Sequence, residues 1–321
     1  MVNFFKKCNT HSVNRLLGER MGHFVFFLGL LTLFLSCDNS PLSLNNHSLE
    51  VKSSSIIYGE NDILDYHEVR GRKVRQLGRS VAIQVPEDKL QYKNGHYTIN
   101  QDLLEDLNIC PDHDSFHEKI SDQPSLGNCS GFLIEKDVLL TASHCVEDQN
   151  DCEENFWVFD FKSNSQNITP SNFEAKNVHR CSEVLEQNKS LDYAILKLDR
   201  PVIDRKPLKM RQRGEVLEDS KLVVIGYPQG LPLKFSTNAR IRNNEDDHQF
   251  IINSDTFEGN SGSPVINTKN YLVEGVLVRG GTDFDLNEES TNECYTIKMC
   301  PEGQCSGEEI LRIKSIFEKD L

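Results

Sequence analysis

The chain of 321 residues contains no Cys-X-X-Cys pair, no long apolar run, no surplus of positive charge and no alternation of strand-like with helix-like segments. Each lack removes a class of function. Without cysteines paired at that spacing a zinc ribbon has little support. Asp plus Glu number 49 against 35 Lys plus Arg, a formal net charge of −14, so neither a nucleic acid nor an anionic membrane surface is expected as a partner. The apolar stretch FVFFLGLLTLFL, residues 24–35, is too short to cross a bilayer comfortably. The missing alternation argues against a parallel α/β sheet, and no repeat recurs at a fixed period. His113 and His117 stand four apart in CPDHDSFH, but Pro111 and the scattered acids read as a loop, and no glutamate follows His113 as a zinc-binding helix requires. No metal and no cofactor are expected.

What is present describes an exported β protein. Lys6, Lys7, Arg15 and Arg20 precede the apolar stretch, so residues 1–36 read as a signal peptide. FLSC at 34–37 is similar to a bacterial lipobox, which would leave Cys37 as a lipidated first residue and a membrane anchor. Ordinary cleavage nearby with Cys37 free is the alternative, since Leu35 is a less usual lipobox residue. Either way the destination is the bacterial cell envelope or the medium. Apart from Cys8 and Cys37 eight cysteines remain, an even set that implies disulfides in an exported chain.

Residues 37–70 read as a tether or pro-segment. From Ser80 come short apolar runs between turn-rich stretches: SVAIQV, GFLI, VLLT, FWVFDF, YAILKL, KLVVIG, QFIIN and LVEGVLV. Their length and their β-branched or aromatic content suit strands, giving an all-β fold of barrels or sandwiches. The halves, 71–200 and 201–321, meet near Pro201. Two helices are expected, one from Gln101 in QDLLEDLNI and one at the end, where Ser306 and Glu309 form a capping box ahead of Ile310, Ile313 and Phe317. VIGYPQGLPLKF, residues 224–235, lacks the spacing of a phosphate cradle and reads as a substrate-groove loop.

Chemistry concentrates in DTFEGNSGSPV, residues 255–265. Gly259 and Gly262 free the backbone around Ser261 to turn amide N–H groups toward an oxygen above the serine, the geometry of an oxyanion hole. A serine hydroxyl needs a base, and the base needs a group to hold it in one tautomer. His144 follows a strand in LLTASHCV, and Asp192 opens the strand LDYAILKL, so the candidates run His144, Asp192, Ser261. The last histidine is His248, before Ser261, which excludes the Ser, Asp, His order of α/β-hydrolases.

Three motifs, CSGFLI with TASHC around His144, DYAILKL around Asp192 and GNSGSPV around Ser261, make residues 56–321 resemble the trypsin-like (chymotrypsin-fold) serine proteases, in the bacterial glutamyl-endopeptidase-like branch. IIYGENDILDYHEV, from Ile56, looks like the segment near the mature start of bacterial members. The resemblance implies two Greek-key β-barrels with a C-terminal helix, the first carrying His144 and Asp192 and the second Ser261. It implies a monomer that acts on protein or peptide substrates, with Gly259 and Ser261 N–H groups as oxyanion donors and a disulfide between Cys129 and Cys145. It puts Asp255, with Gly280, in the specificity pocket. A carboxylate there favours Arg or Lys on the acyl side, unless Arg279 pairs with it. Leu277 stands where glutamyl-specific members have a pocket histidine. Asn260 replaces the aspartate that pairs with a freshly cut N-terminus, so activation through that ion pair is not expected. The competing readings are a catalytically silent homologue serving as a surface binding protein and an esterase using the same triad.

Overall fold

In the computed structural model, which describes residues 57–100, 110, 123–165, 170–287, 294–301 and 305–318, short strands close into two six-stranded antiparallel barrels. Cys37, the apolar stretch, the helix expected from Gln101 and the pair His113 and His117 lie outside the described residues. The first barrel comprises β1 (Val81–Pro86), β2 (Cys129–Leu133), β3 (Val138–Thr141), β4 (Asn155–Phe159), β5 (Val178–Asn188) and β6 (Tyr193–Leu198). The second comprises β7 (Lys221–Gly226), β8 (Lys234–Asn243), β9 (Gln249–Asn253), β10 (Pro264–Asn267), β11 (Val273–Arg279) and β12 (Glu308–Arg312). Around the first barrel the order is β1-β4-β5-β6-β3-β2, and around the second β7-β10-β11-β12-β9-β8. The two circuits are the same, so one topology is used twice although the sequence shows no repeat.

Alternation explains how the barrels share a core. In β7, Leu222 and Val224 pack with Phe250, Ile252, Val265 and Ile310 inside the second barrel. Val223 and Ile225 join the larger cluster that contains Trp157, Phe132 and Phe159 of the first barrel, as a period of two requires. Each fully buried side chain of this kind contributes about 1.5–3 kcal/mol. Gly131 in β2 leaves the space that Trp157 fills: a Cβ there would sit 2.5 Å from Leu139 Cδ2 and 2.8 Å from Trp157 Cζ3.

Three expectations are corrected. Residues 57–65 do not behave as a tether: Ile57–Tyr58 pairs in parallel with Met299–Cys300, and Ile63–Asp65 pairs with Lys234, Phe235 and Ser236 of β8. Ile57 and Ile63 pack with Leu231, Phe257 and Ile297, so apolar burial against the second barrel fixes this segment. The C-terminal helix covers only Ile313–Phe317, because Glu308–Arg312 pairs as β12 with β9 and β11. Ladder pairing on both edges outweighs the local capping signal of Ser306 and Glu309. Asp192 precedes β6 rather than lying in it, with φ +62°.

The eight cysteines pair as Cys110–Cys294, Cys129–Cys145, Cys152–Cys181 and Cys300–Cys305. The second of these agrees with the pairing that the resemblance implies. Two short helices, Arg72–Gly78 and Gln149–Glu154, were not anticipated; the second is capped by Asp148, whose carboxylate accepts the Asn150 and Asp151 amides.

Candidate active site

His144 sits in a single 3-10 turn, Ser143–Cys145, that ends β3. The turn is held by two side-chain amides outside the sequence motifs, one buried in β1 and one half-buried in β5. Gln84 Nε2 donates to the Cys145 carbonyl at 2.6 Å, and Gln187 Nε2 donates to the Val146 carbonyl at 2.6 Å. A signal existed in the apolar pattern of β1, where Gln84 interrupts a strand buried on both faces.

Asp192 meets this turn from the start of β6. Its Oδ2 accepts from His144 Nδ1 at 2.9 Å, and its Oδ1 accepts from the His144 backbone N–H at 3.0 Å and lies 3.1 Å from Nδ1. Both the ring and its own backbone are therefore fixed by one carboxylate. With Nδ1–H donating to Asp192, Nε2 keeps its lone pair free to accept a proton. Burial works against the ionised Asp192 carboxyl, but the hydrogen bonds and charge of His144 outweigh it and hold its pKa below the ordinary value. The left-handed backbone at Asp192 is one that a short polar residue tolerates better than most.

Ser261 comes from the second barrel and is pressed against the first. Its carbonyl accepts the Ser130 amide of β2 at 2.8 Å. Next to it, Gly262 has φ +83°, and a Cβ there would fall 2.1 Å from the Ser130 carbonyl and 2.3 Å from Thr141 Oγ1. Glycine is thus required for the serine loop to approach the segment that carries His144. Among the described residues no hydrogen bond joins Ser261 Oγ to the imidazole, a contact of the kind that tightens when substrate binds.

The amides around Ser261 divide into two sets. Glu258 N–H donates to Asp283 Oδ2 at 2.8 Å, Asn260 N–H to the Phe257 carbonyl at 2.9 Å, Gly262 N–H to the Leu277 carbonyl at 2.8 Å and Ser263 N–H to the Asn260 carbonyl at 2.9 Å. Among the described residues, the Gly259 and Ser261 N–H groups have no acceptor. These are the two amides expected as oxyanion donors.

Asp255 is buried, but its environment differs from the simple expectation. Oδ1 accepts the Tyr58 amide at 2.7 Å and Oδ2 the Asp62 amide at 3.0 Å, so the carboxyl anchors residues 58–62. Burial raises its pKa to about 7, against the opposing pull of those two amides and with the charge of Asp62 adding to the rise. Arg279 does not neutralise it: that guanidinium lies 3.7 Å from Glu309. Gly280 follows at the end of β11. Beside Asp255, fully buried Glu308 accepts from Thr256 Oγ1 at 2.7 Å and Tyr58 Oη at 3.3 Å. Burial, with a smaller contribution from the charge of Asp283, raises the Glu308 pKa to about 8 despite the Thr256 hydroxyl.

Cys129 and Cys145 Sγ lie within 4.8 Å of a His144 ring nitrogen, but both sulfurs are in one disulfide and offer no thiolate to a metal. A cavity of about 600 Å³ flanks His144 along the wall formed by Gln84, Asn128 and Glu147.

Residues 129–273 match the family of the trypsin-like peptidase domain. Among solved structures, the chain is similar to the Rv3671c protease of M. tuberculosis in its inactive form, at 17% identity over 81% of this chain and 95% of that one with a TM-score of 0.44. The active form of that protease matches at 17% identity over 77% and 86%, TM-score 0.40. A serine endoprotease from Yersinia pestis matches at 14% identity over 72% and 64%, TM-score 0.41.

Proposed function

We propose that this chain, whose residues 129–273 match the trypsin-like peptidase domain, is a serine endopeptidase that cleaves peptide bonds through Ser261, His144 and Asp192. Ser261 Oγ attacks the carbonyl carbon while His144 Nε2 takes its proton. The oxygen, now negative, receives the Gly259 and Ser261 N–H groups. The tetrahedral species collapses to an acyl-enzyme as His144 returns the proton to the leaving amine, and water repeats the sequence to release the acid. Asp192 holds the ring in the tautomer this needs. The observation that carries the reading is the pairing of a carboxylate-held imidazole with two amides left without acceptors beside one serine. A fluorophosphonate probe is expected to label the wild-type protein on Ser261 and to leave Ser261→Ala unlabelled. Absence of any adduct on the folded wild type would favour the silent homologue, and turnover of esters without peptides would favour the esterase.

Cleavage after Arg or Lys is proposed from the position of Asp255, six residues before the nucleophile, and from lone pairs that its two oxygens keep beyond the Tyr58 and Asp62 amides. Ionisation of Asp255 near pH 7 gives this a pH signature. The carboxyl is neutral below its pKa and charged above it, so a cationic side chain gains from raising the pH. The ratio of kcat/KM for Arg over Leu substrates is expected to rise about tenfold from pH 6 to pH 8. A ratio between two substrates cancels any pH dependence of the catalytic steps that both share. In Asp255→Ser the ratio should be low and flat. A flat ratio already in the wild type leaves Asp255 as an anchor of residues 58–62 alone.

Export with lipid anchoring through Cys37 is the localisation we propose. Four disulfides suit an oxidising compartment, and FLSC at 34–37 supplies the cysteine. In a bacterial host the wild type should take up labelled palmitate and sediment with membranes, and Cys37→Ala should do neither. Equal recovery of both in the medium removes the anchor.

A further inference from the structure

A peptide group is planar and trans, so a carbonyl and the N–H that follows it point in opposite directions. Fixing the carbonyl therefore aims the amide. Both candidate oxyanion donors are aimed this way. The Asn260 carbonyl accepts from Ser263 N–H at 2.9 Å, which turns the Ser261 N–H outward through a contact three residues away. The Glu258 carbonyl, by contrast, accepts from Gln229 N–H at 2.5 Å. The direction of the Gly259 N–H thus depends on a distant loop.

That loop is built to hold one position. Gln229 has φ +52°, a left-handed conformation that costs a non-glycine residue free energy. Its carbonyl accepts from Ser125 Oγ at 2.7 Å, and the next carbonyl, of Gly230, accepts the Leu126 amide at 2.8 Å. Its side chain closes a ring: Gln229 Nε2 donates to Asp283 Oδ2 at 2.8 Å, and the same oxygen accepts the Glu258 N–H at 2.8 Å. Asp283 itself is buried. Asn260 cannot anchor the loop through an ion pair, being neutral, and its Nδ2 is buried with no partner among the described residues.

We propose that Gln229 and Asp283 are positioning residues that preset the Gly259 amide as an oxyanion donor, and so do the work that a buried aspartate paired with a new N-terminus cannot do here. Neither touches the reacting atoms. The inference rests on the serine peptidase reading above and assigns its oxyanion hole a support of its own.

Gln229→Gly removes the side-chain tether while keeping the main-chain N–H and suiting the left-handed backbone. Asp283→Ala removes the shared acceptor, and Asp283→Asn restores an oxygen. The first two are expected to lower kcat about tenfold with KM within about twofold, since the lost interaction serves the transition state alone. A peptide boronate, whose adduct carries an oxygen at the oxyanion position, should bind weaker by the same factor, whereas a product peptide should bind as in the wild type. Asp283→Asn should recover most of the loss. The double variant should be no worse than the poorer single, because both act through one ring. Unchanged kcat in folded Gln229→Gly, or losses shared equally by boronate and product peptide, overturn the proposal. Should Asp283→Ala fail to fold, Gln229→Gly decides. A wild type that fluorophosphonate does not label defeats the parent reading, whereas normal labelling with unaffected Gln229→Gly turnover defeats the clamp alone.

Discussion

Asp192→Asn is expected to lower kcat about 10⁴-fold while leaving KM nearly unchanged. Asp192 receives both the backbone N–H and the Nδ1–H of His144, so its loss acts on ring orientation and tautomer together. An asparagine amide turned toward Nδ1 would donate instead of accept, move the ring proton to Nε2 and leave no lone pair for the Ser261 proton. The substitution also removes the negative charge that stabilises the imidazolium in the transition state. Asparagine is the informative replacement because it tolerates the left-handed backbone at φ +62°, so strain does not confuse the result. The measurement is kcat and KM on a peptide ester and amide, with the melting temperature recorded alongside. A variant that folds and keeps more than about a tenth of wild-type kcat would show that Asp192 does not hold the base.

The candidate site is legible in the sequence because each of its three residues sits in or beside a short, local motif. His144 follows β3 directly, and Ser261 is bracketed by glycines whose positive φ the structure requires. What the strands did not reveal has a common cause. The two longest strands, β5 and β8, escaped the reading of apolar runs. In β5 the pairing with β6 shifts between Cys181 and Glu183 and again between Val184 and Glu186. Each shift inserts a residue and inverts the inside and outside faces, so alternation does not persist long enough to be seen. β8 breaks likewise between Ile241 and Asn243.

The remaining gaps are nonlocal. Asp255 could be located by counting six residues back from Ser261, but its partners Tyr58 and Asp62 lie 197 and 193 residues away in sequence. Those partners lie in a stretch whose composition resembles a tether, and only burial of Ile57 and Ile63 against the second barrel turns it into structure. Gln229 reads in the sequence as part of a groove loop because of the glycines and prolines around it. Its contact with the Glu258 carbonyl follows from how β7 and β8 are joined, which no local pattern encodes. The candidate site is thus divided by origin: the first barrel holds the His144 ring in local contacts, whereas the second aims the proposed donor amides through distant ones.

That division predicts where a methyl group does the most damage. Gly259→Ala is expected to lower kcat about 10²–10³-fold, the loss associated with removing one oxyanion donor. Gly259 has φ +92°, and a Cβ there would lie 2.4 Å from the Tyr227 carbonyl and 3.0 Å from the Gln229 and Gly230 amides. Those atoms are main chain and already engaged, since Gln229 N–H donates to the Glu258 carbonyl and Gly230 N–H to Tyr227. The side chain can be accommodated only if the Glu258–Gly259 peptide rotates, and rotation withdraws the Gly259 N–H from the oxyanion position. Ser261, His144 and Asp192 would remain where they are, so labelling by a fluorophosphonate should slow rather than vanish, and product peptides should bind with unchanged affinity. Acylation rates from single-turnover kinetics, with boronate affinity measured in parallel, test this directly. Retention of more than about a third of the wild-type acylation rate in the folded variant would remove Gly259 from the oxyanion hole and leave Ser261 N–H as the sole donor assigned there.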